Sequence, residues 1–189
     1  MKKTLISLGL IAALSPAMAN AAGGYVGASL GQTTYQDLDT EEVRAFESAM
    51  GLSIDDEDTG FKLFGGANFN DFISMEAHIA TLGAVTIQNN FAKAEVESTS
   101  LGAALVGNLP LGEHFKLFGK FGFHFWDTEI EATASNVTFT QDLDDGTDTF
   151  FGAGAVYQMD RFSIRGEFER YTLDELDVDF ISVGLAYHF

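Results

Sequence analysis

The chain has 189 residues, of which 28 are acidic and 10 basic, giving a net charge of −18 at neutral pH. That balance excludes nucleic acid as a partner, which needs a basic footprint, and the absence of cysteine excludes disulfides and thiolate metal sites. Eighteen phenylalanines and 20 glycines against two prolines suit strands with a large apolar outer face and a closely packed inner one.

Taken in chain order, Lys2 and Lys3 form a positive n-region and Thr4 to Leu14 an apolar stretch. A small-x-small site follows at Ala17-Met18-Ala19 or Ala19-Asn20-Ala21. This is the pattern of a secretory signal, so residues 1–21 are expected to be a signal peptide and 22–189 a single exported domain. After Ala22 there is no run of 18 or more apolar residues, which excludes helical membrane spans. Any membrane crossing would be made by strands closed into a barrel, where every backbone polar group finds a partner.

Eight segments carry period-two alternation. The first, Gly24 to Gln32, turns Val26, Ala28 and Leu30 one way and Tyr25, Gly27 and Ser29 the other. The second, Gly60 to Phe69, turns Phe61, Leu63 and Ala67 out and Lys62, Gly66 and Asn68 in. In the third, Ile73, Met75 and Ile79 face out and Ser74, Glu76 and His78 face in. The fourth spans about Val96 to Leu109, and the fifth, Phe115 to Trp126, sets Leu117, Phe121, Phe123 and Phe125 against Lys116, Lys120 and His124. Phe150 to Gln158, Arg161 to Tyr171 and Asp177 to Phe189 are the sixth, seventh and eighth. An apolar face beside a small or polar one describes a strand with lipid on one side, and eight strands close a small barrel.

The connections alternate in length. Asn70 to Phe72, Pro110 to His114 and Met159-Asp160 are short; Thr33 to Thr59, Ala84 to Lys93, Asp127 to Thr149 and Thr172 to Leu176 are mostly longer and polar. Short turns are expected on the periplasmic side and long loops outside. The facing pattern pairs Phe69 with Ile73 across a three-residue turn and Tyr157 with Phe162 across Met159-Asp160. Phe69, Phe115, Tyr157, Phe162, Tyr187 and Phe189 would form an aromatic girdle near the short turns.

The segment Gly60 to Gly66, with Met75-Glu76, Lys120-Phe121-Gly122, Gly152-Ala153-Gly154, Arg165-Gly166-Glu167 and the ending Ser182 to Phe189, resembles in this order the transmembrane domain of the outer-membrane protein A superfamily. The resemblance implies an all-β fold, an eight-stranded antiparallel up-and-down transmembrane β-barrel in the outer membrane of a Gram-negative bacterium. It also implies that Tyr187 and Phe189 belong to a C-terminal assembly signal read by the barrel-assembly machinery. The family's second, peptidoglycan-binding domain is not expected, because the sequence stops at Phe189.

Glu76, Lys120, Arg165 and Glu167 all face inward by alternation and fall at similar heights above the short turns. Two acids and two bases in a narrow lumen are expected to pair, either as a plug or as a gate. In the resembled family an inward Glu, Lys and Arg form such a network, and Glu76, Lys120 and Arg165 match those positions. Val156 stands where a second acid partner is expected, so Glu167 or Glu169 would have to supply it.

The acids concentrate in the longer connections. Asp37, Asp39, Glu41, Glu42, Glu47, Asp55, Asp56, Glu57 and Asp58 share the first with Arg44, and Glu129, Glu131, Asp142, Asp144, Asp145 and Asp148 crowd the third. Asp39 with Glu42 resembles a capping box for a short helix from Thr40 to Met50. Asp142 to Asp148 has the wrong glycine position for a calcium loop and lacks its twelfth-position Glu, so no metal or cofactor is expected. His124 beside Asp127, with a serine from the fourth strand, is a candidate lipid-modifying set without a supporting motif.

The expectation is a monomeric, non-enzymatic barrel with a structural and surface-interaction role. Its partners would be outer-membrane lipids, lipopolysaccharide and a ligand held by the loops. A low-conductance ion channel gated by lumen salt bridges is the first alternative, and a lipid-modifying enzyme the second.

Overall fold

The computed structural model describes residues 23–36, 53–55, 57–88, 92–134, 137–174 and 176–189. Every element among them is a strand: β1 (Gly24–Tyr35), β2 (Ser53–Asp55), β3 (Glu57–Asn68), β4 (Ile73–Gln88), β5 (Ala92–Pro110), β6 (Phe115–Ala134), β7 (Val137–Met159), β8 (Phe162–Leu173) and β9 (Leu176–His188). Each pairs antiparallel with its neighbour in the sequence, except that β2 adds to the far end of β4 and β1 pairs with β3. β1 also pairs with β9, from Tyr25 opposite His188 to Tyr35 opposite Val178. That last ladder closes an eight-stranded barrel with no free edge in its body. The predicted signal peptide and the predicted helix from Thr40 to Met50 lie outside the described residues.

Alternation sets the two faces. Val26, Leu30, Leu63, Met75, Leu105, Phe121, Phe123, Phe125, Phe151, Ile164, Ile181, Val183 and Leu185 all stand exposed on the outside. A contiguous apolar band of this kind is stable only against lipid. Inside, aromatic rings lie flat on glycines of the neighbouring strand. Tyr25 covers Gly66, where a Cβ would sit 2.2 Å from the ring, and Trp126 covers Gly146, with 2.7 Å to the same test atom. A side chain at either glycine would force the ring to shift.

At one end the turns are tight. The Asn70 side chain accepts hydrogen bonds from the Phe72 and Ile73 amides at 2.8 and 2.9 Å, an Asx turn, and Phe69 donates to the Ile73 carbonyl at 3.0 Å, as its facing required. The β7–β8 register departs from expectation. Met159 pairs with Phe162 and Tyr157 with Ile164, so the turn is Asp160-Arg161. Asp160 takes φ 49° there, a left-handed conformation that its short polar side chain tolerates.

The other end corrects the sequence reading more substantially. Much of the expected third loop is strand: β6 runs on to Ala134 and β7 starts at Val137, with Ala134 opposite Val137. The second connection shrinks likewise, because β4 reaches Gln88 and β5 begins at Ala92. Beyond the lipid both faces of a strand meet water, so apolar alternation vanishes while the Thr-rich chain keeps its strand preference. As a result β4 to β7 are 16 to 23 residues long, against 12 or 13 for β1, β3, β8 and β9. Half the barrel therefore rises as a wall above the other half. Past Phe150, which pairs with Tyr171, the ladder partner of β7 is β6 alone among the described residues.

Candidate functional site

Six ionisable side chains meet at mid-lumen. Lys62 comes from β3, Glu76 from β4, Lys120 from β6, and Arg165, Glu167 and Glu169 from β8. Each is an inward residue of its strand, and none is more than 5% exposed. Arg165 donates to Glu76 at 2.7 Å and to Glu167 at 3.0 Å. Lys120 lies 3.0 Å from Glu76 and 2.6 Å from Glu169, and also contacts Glu167. Lys62 donates to Glu167 at 2.6 Å and bonds Glu169. Three acids against three bases make the layer neutral, which is the condition for keeping charge in a dry lumen.

Neighbours complete the shell. The Tyr25 hydroxyl donates to Glu76 and that of Tyr171 to Glu169, both at 2.9 Å. The Arg165 guanidinium is held between the Phe64 and Phe118 rings at 4.4 and 4.5 Å, where the charge meets the ring faces.

Of the residues expected in the layer, Glu76, Lys120, Arg165 and Glu167 are brought together here. Glu169 joins as a full member, while Val156 lies opposite Arg165 without an acid. Lys62 was not expected. Its inward facing was readable from alternation, but on its own predicted strand it had no charged neighbour to suggest pairing.

Above the layer the lumen is closed by rings. Phe150 and Tyr171 stack at 5.2 Å and 8°, with His78 and His124 edge-on to both. Leu82, Trp126, Leu173, Val178, Phe180 and Tyr35 complete one buried cluster with them. His124 donates through Nε2 to the Thr172 carbonyl at 2.9 Å, so its Nδ1 accepts the Ser100 hydroxyl at 3.0 Å. Ser100 in turn lies 3.1 Å from His78 Nε2. A serine and a histidine do meet, but Asp127, three residues on from His124, falls on the opposite face of β6 by alternation, and Ser100 and His124 are buried. This chain of hydrogen bonds satisfies buried polar groups.

At the wall, Asp148 accepts from the Trp126 indole at 2.8 Å and from the Asp174 amide at 3.1 Å. The indole hydrogen bond, followed by the amide, holds its carboxyl below the usual range. At the turn end, Tyr187 packs edge-on to Phe162 and Phe189 at 5.3 and 5.5 Å and accepts from Arg161 at 3.1 Å. Phe189 donates its amide to Gly24 while its ring stays 70% exposed.

A protein family described as "Outer membrane protein beta-barrel domain" matches residues 4–189. A comparison with curated proteins gave no match. Among solved structures, the attachment invasion locus protein Ail of Yersinia pestis is similar with a TM-score of 0.59 and 16% identity, over 88% of this chain and 98% of that one. Neisserial surface protein A gives 0.56 and 12%, over 88% and 97%. The N-terminal barrel of Pseudomonas aeruginosa OprF gives 0.54 and 11%, over 88% and 97%. Ail has also been solved with the heparin analogue sucrose octasulfate.

Proposed function

Because the chain belongs to the outer membrane protein β-barrel family, and so resides in the outer membrane of a Gram-negative bacterium, we propose that it is a non-enzymatic, monomeric surface barrel whose tall acidic wall is a contact surface for cationic ligands. The observation that carries this reading is the unequal height of the strands. The barrel needs only 12 or 13 residues per strand on one side, yet β7 has 23 on the other. With short turns toward the periplasm, as is general for these barrels, the wall stands outside the cell.

The charge of the wall narrows the ligand class. Glu97 lies opposite Glu129, and Asp127 opposite Asp145. Glu97, Asp144 and Asp145 stand exposed on the wall, and an exposed acidic surface is complemented by positive charge: a basic partner, or divalent cations bridging to lipopolysaccharide phosphate. Ail was solved with a polyanion; the opposite preference is expected here. The neutral ion layer under a lid of rings argues against a channel, because no column of water runs past it without breaking ion pairs.

Three measurements test the proposal. Cysteine at Asp144 should react with an impermeant thiol reagent in intact cells, and cysteine at Asp160 should not. Planar-bilayer recording should show no steady conductance. Polylysine should bind the reconstituted barrel in a salt-sensitive manner and bind far less when Glu97, Asp127, Glu129 and Asp145 are changed to amides. Heparin binding in place of polylysine binding would overturn the ligand class, and steady conductance would favour the channel.

A further inference from the structure

On the outer face of the tall side, the ladder pairs Ile79 with Leu101, Leu101 with Phe125 and Phe125 with Thr147. Ile79 and Leu101 are half-buried, and Phe125 is 65% exposed. The next outward residues along the same strands are Thr81, Thr99, Asp127 and Asp145, and beyond Thr99 and Asp127 stand Glu97 and Glu129. The apolar band stops within one pleat and an acidic field begins, which sets the edge of the hydrocarbon along this row. A groove of about 740 Å³ crosses the transition. Ile79, Leu101 and Phe125 line its apolar side, Glu97 and Asp145 stand exposed on the other, and no lining residue is basic.

The short side of the barrel does not share this imbalance. There the outward pair Phe168 and Ile181 is followed by Arg170 opposite Asp179, which bond each other at 2.6 and 2.7 Å. At the edge of the band on β8 and β9 an acid thus meets its base, whereas the residues lining the groove bring acids alone. A polycation would satisfy the acids and leave the apolar side uncovered, and an acyl chain would do the reverse. The fitting ligand carries an apolar face and a positive face along one length. The row crosses four strands, so it is about 14 Å long, the length of about nine helical residues. A helix with basic residues on one face and large apolar residues on the other settles where headgroups give way to acyl chains, the depth at which this groove lies.

We propose that the outer face of β4 to β7 at the membrane edge is a docking groove for a cationic amphipathic helix, its apolar face on Leu101 and Phe125 and its bases against Glu97 and Asp145. The inference rests on reading the wall as a surface for cationic ligands, and adds the apolar half of the partner.

The test uses the mature barrel in phosphatidylcholine nanodiscs, with barrel-free discs as background. The probe is a fluorescein-labelled helix with leucine on one face and lysine on the other, compared with a scrambled peptide of the same composition and with polylysine. The helix should bind the barrel about tenfold tighter than the scrambled peptide, and should lose about tenfold in Glu97→Gln with Asp145→Asn and again in Phe125→Ser. A nitroxide at its midpoint should broaden the methyl signals of Ile79 and Leu101 more than those of Ile164 and Val183, which face out from β8 and β9. All three substituted side chains are exposed, so the variants are expected to fold, as heat-modifiable gel mobility will verify. Should Phe125→Ser fail to fold, Thr99→Lys sets a cation in the groove in its place, and the same loss is expected. Binding indifferent to these substitutions, or equal broadening on both sides of the barrel, would overturn the groove. Polylysine or the scrambled peptide bound as tightly as the helix would overturn the groove and leave the wall reading standing, whereas failure of polylysine and helix alike would overturn both.

Discussion

Replacing Arg165 by alanine is the most direct probe of the ion layer. The change removes hydrogen bonds of 2.7 and 3.0 Å to Glu76 and Glu167 and empties the slot between Phe64 and Phe118. Three buried acids then face two bases, and an uncompensated buried charge costs about 3 to 5 kcal/mol. Adding Glu76→Ala restores the balance at two and two. It also strands the Tyr25 hydroxyl and one contact of Lys120, so recovery is partial, with a coupling energy of about 1 to 3 kcal/mol. Arg170 and Asp179 provide the comparison, since they form a bidentate pair at 2.6 and 2.7 Å but with the arginine 34% exposed. Their coupling should stay below about 1 kcal/mol despite the better geometry, because water screens it. Urea unfolding of the single and double variants in one detergent gives both cycles. Additive losses at Arg165 and Glu76 would refute the layer as a coupled unit, and a stable, ion-conducting Arg165→Ala would turn the plug into a gate.

Further outcomes follow from other parts of the barrel. Lys62→Met should destabilise by a similar 3 kcal/mol or so, and Glu169→Gln in the same chain should restore part of it, since the ammonium bonds Glu167 and Glu169; unfolding midpoints decide this. Trp126 is the only tryptophan and reports on Asp148. Because hydrogen bonding lowers the carboxyl pKa of Asp148 in the fold, its stabilising contact is present above the unfolded carboxylate value and lost as pH falls through the lowered one. Trp126 emission should therefore stay constant through the ordinary carboxylate range and shift only at more acidic pH, with no such step in Asp148→Ala. A shift centred in the ordinary range would contradict the hydrogen bond. Phe189→Asp should lower the yield of heat-modifiable barrel in cells while barely changing the unfolding midpoint of whatever folds, because the ring is mostly exposed; an equal loss in both would assign Phe189 a packing role instead.

The barrel body was legible because lipid enforces a strict alternation on every strand that crosses it, as in Phe121, Phe123 and Phe125 against Lys120, Gly122 and His124. The wall was not, because that enforcement ends at the membrane surface: Asp127 to Ala134 and Val137 to Thr149 read as polar loops and are strands. The same reasoning separates the members of the ion layer. Arg165 and Glu167 stand two apart on one strand and announce a pair, whereas Lys62 meets Glu169 across 107 residues of sequence. Alternation gives the face of a residue but not the stagger of its strand, and the stagger decides who meets whom.

That stagger is where the ion layer exerts a control the outer surface cannot. A slip of one residue would turn Lys62 or Glu76 into lipid at a cost of about 2 to 4 kcal/mol for a lysine, but a slip of two keeps every side chain on its face, and an outer band of Leu, Ile, Val and Phe barely registers it. Inside, the same slip of β8 would lift Ser163 to the height of Arg165, empty the slot between Phe64 and Phe118, carry the Arg165 charge to the place where Glu167 meets Lys62 and Lys120, and leave Glu167 alone in the place of Glu169. The layer should therefore contribute more to uniqueness than to stability, since buried ion sets replaced by apolar residues of similar volume often lose nothing. Changing Lys62, Glu76, Lys120, Arg165, Glu167 and Glu169 together to leucine or methionine should leave the unfolding midpoint near that of the wild type. In that background, cysteines at Ala155 and Gly166, which are register partners, should crosslink less completely than in the wild-type barrel, because neighbouring registers become populated. Full crosslinking at unchanged stability would mean that the turns and the glycine-seated rings set the stagger without the layer.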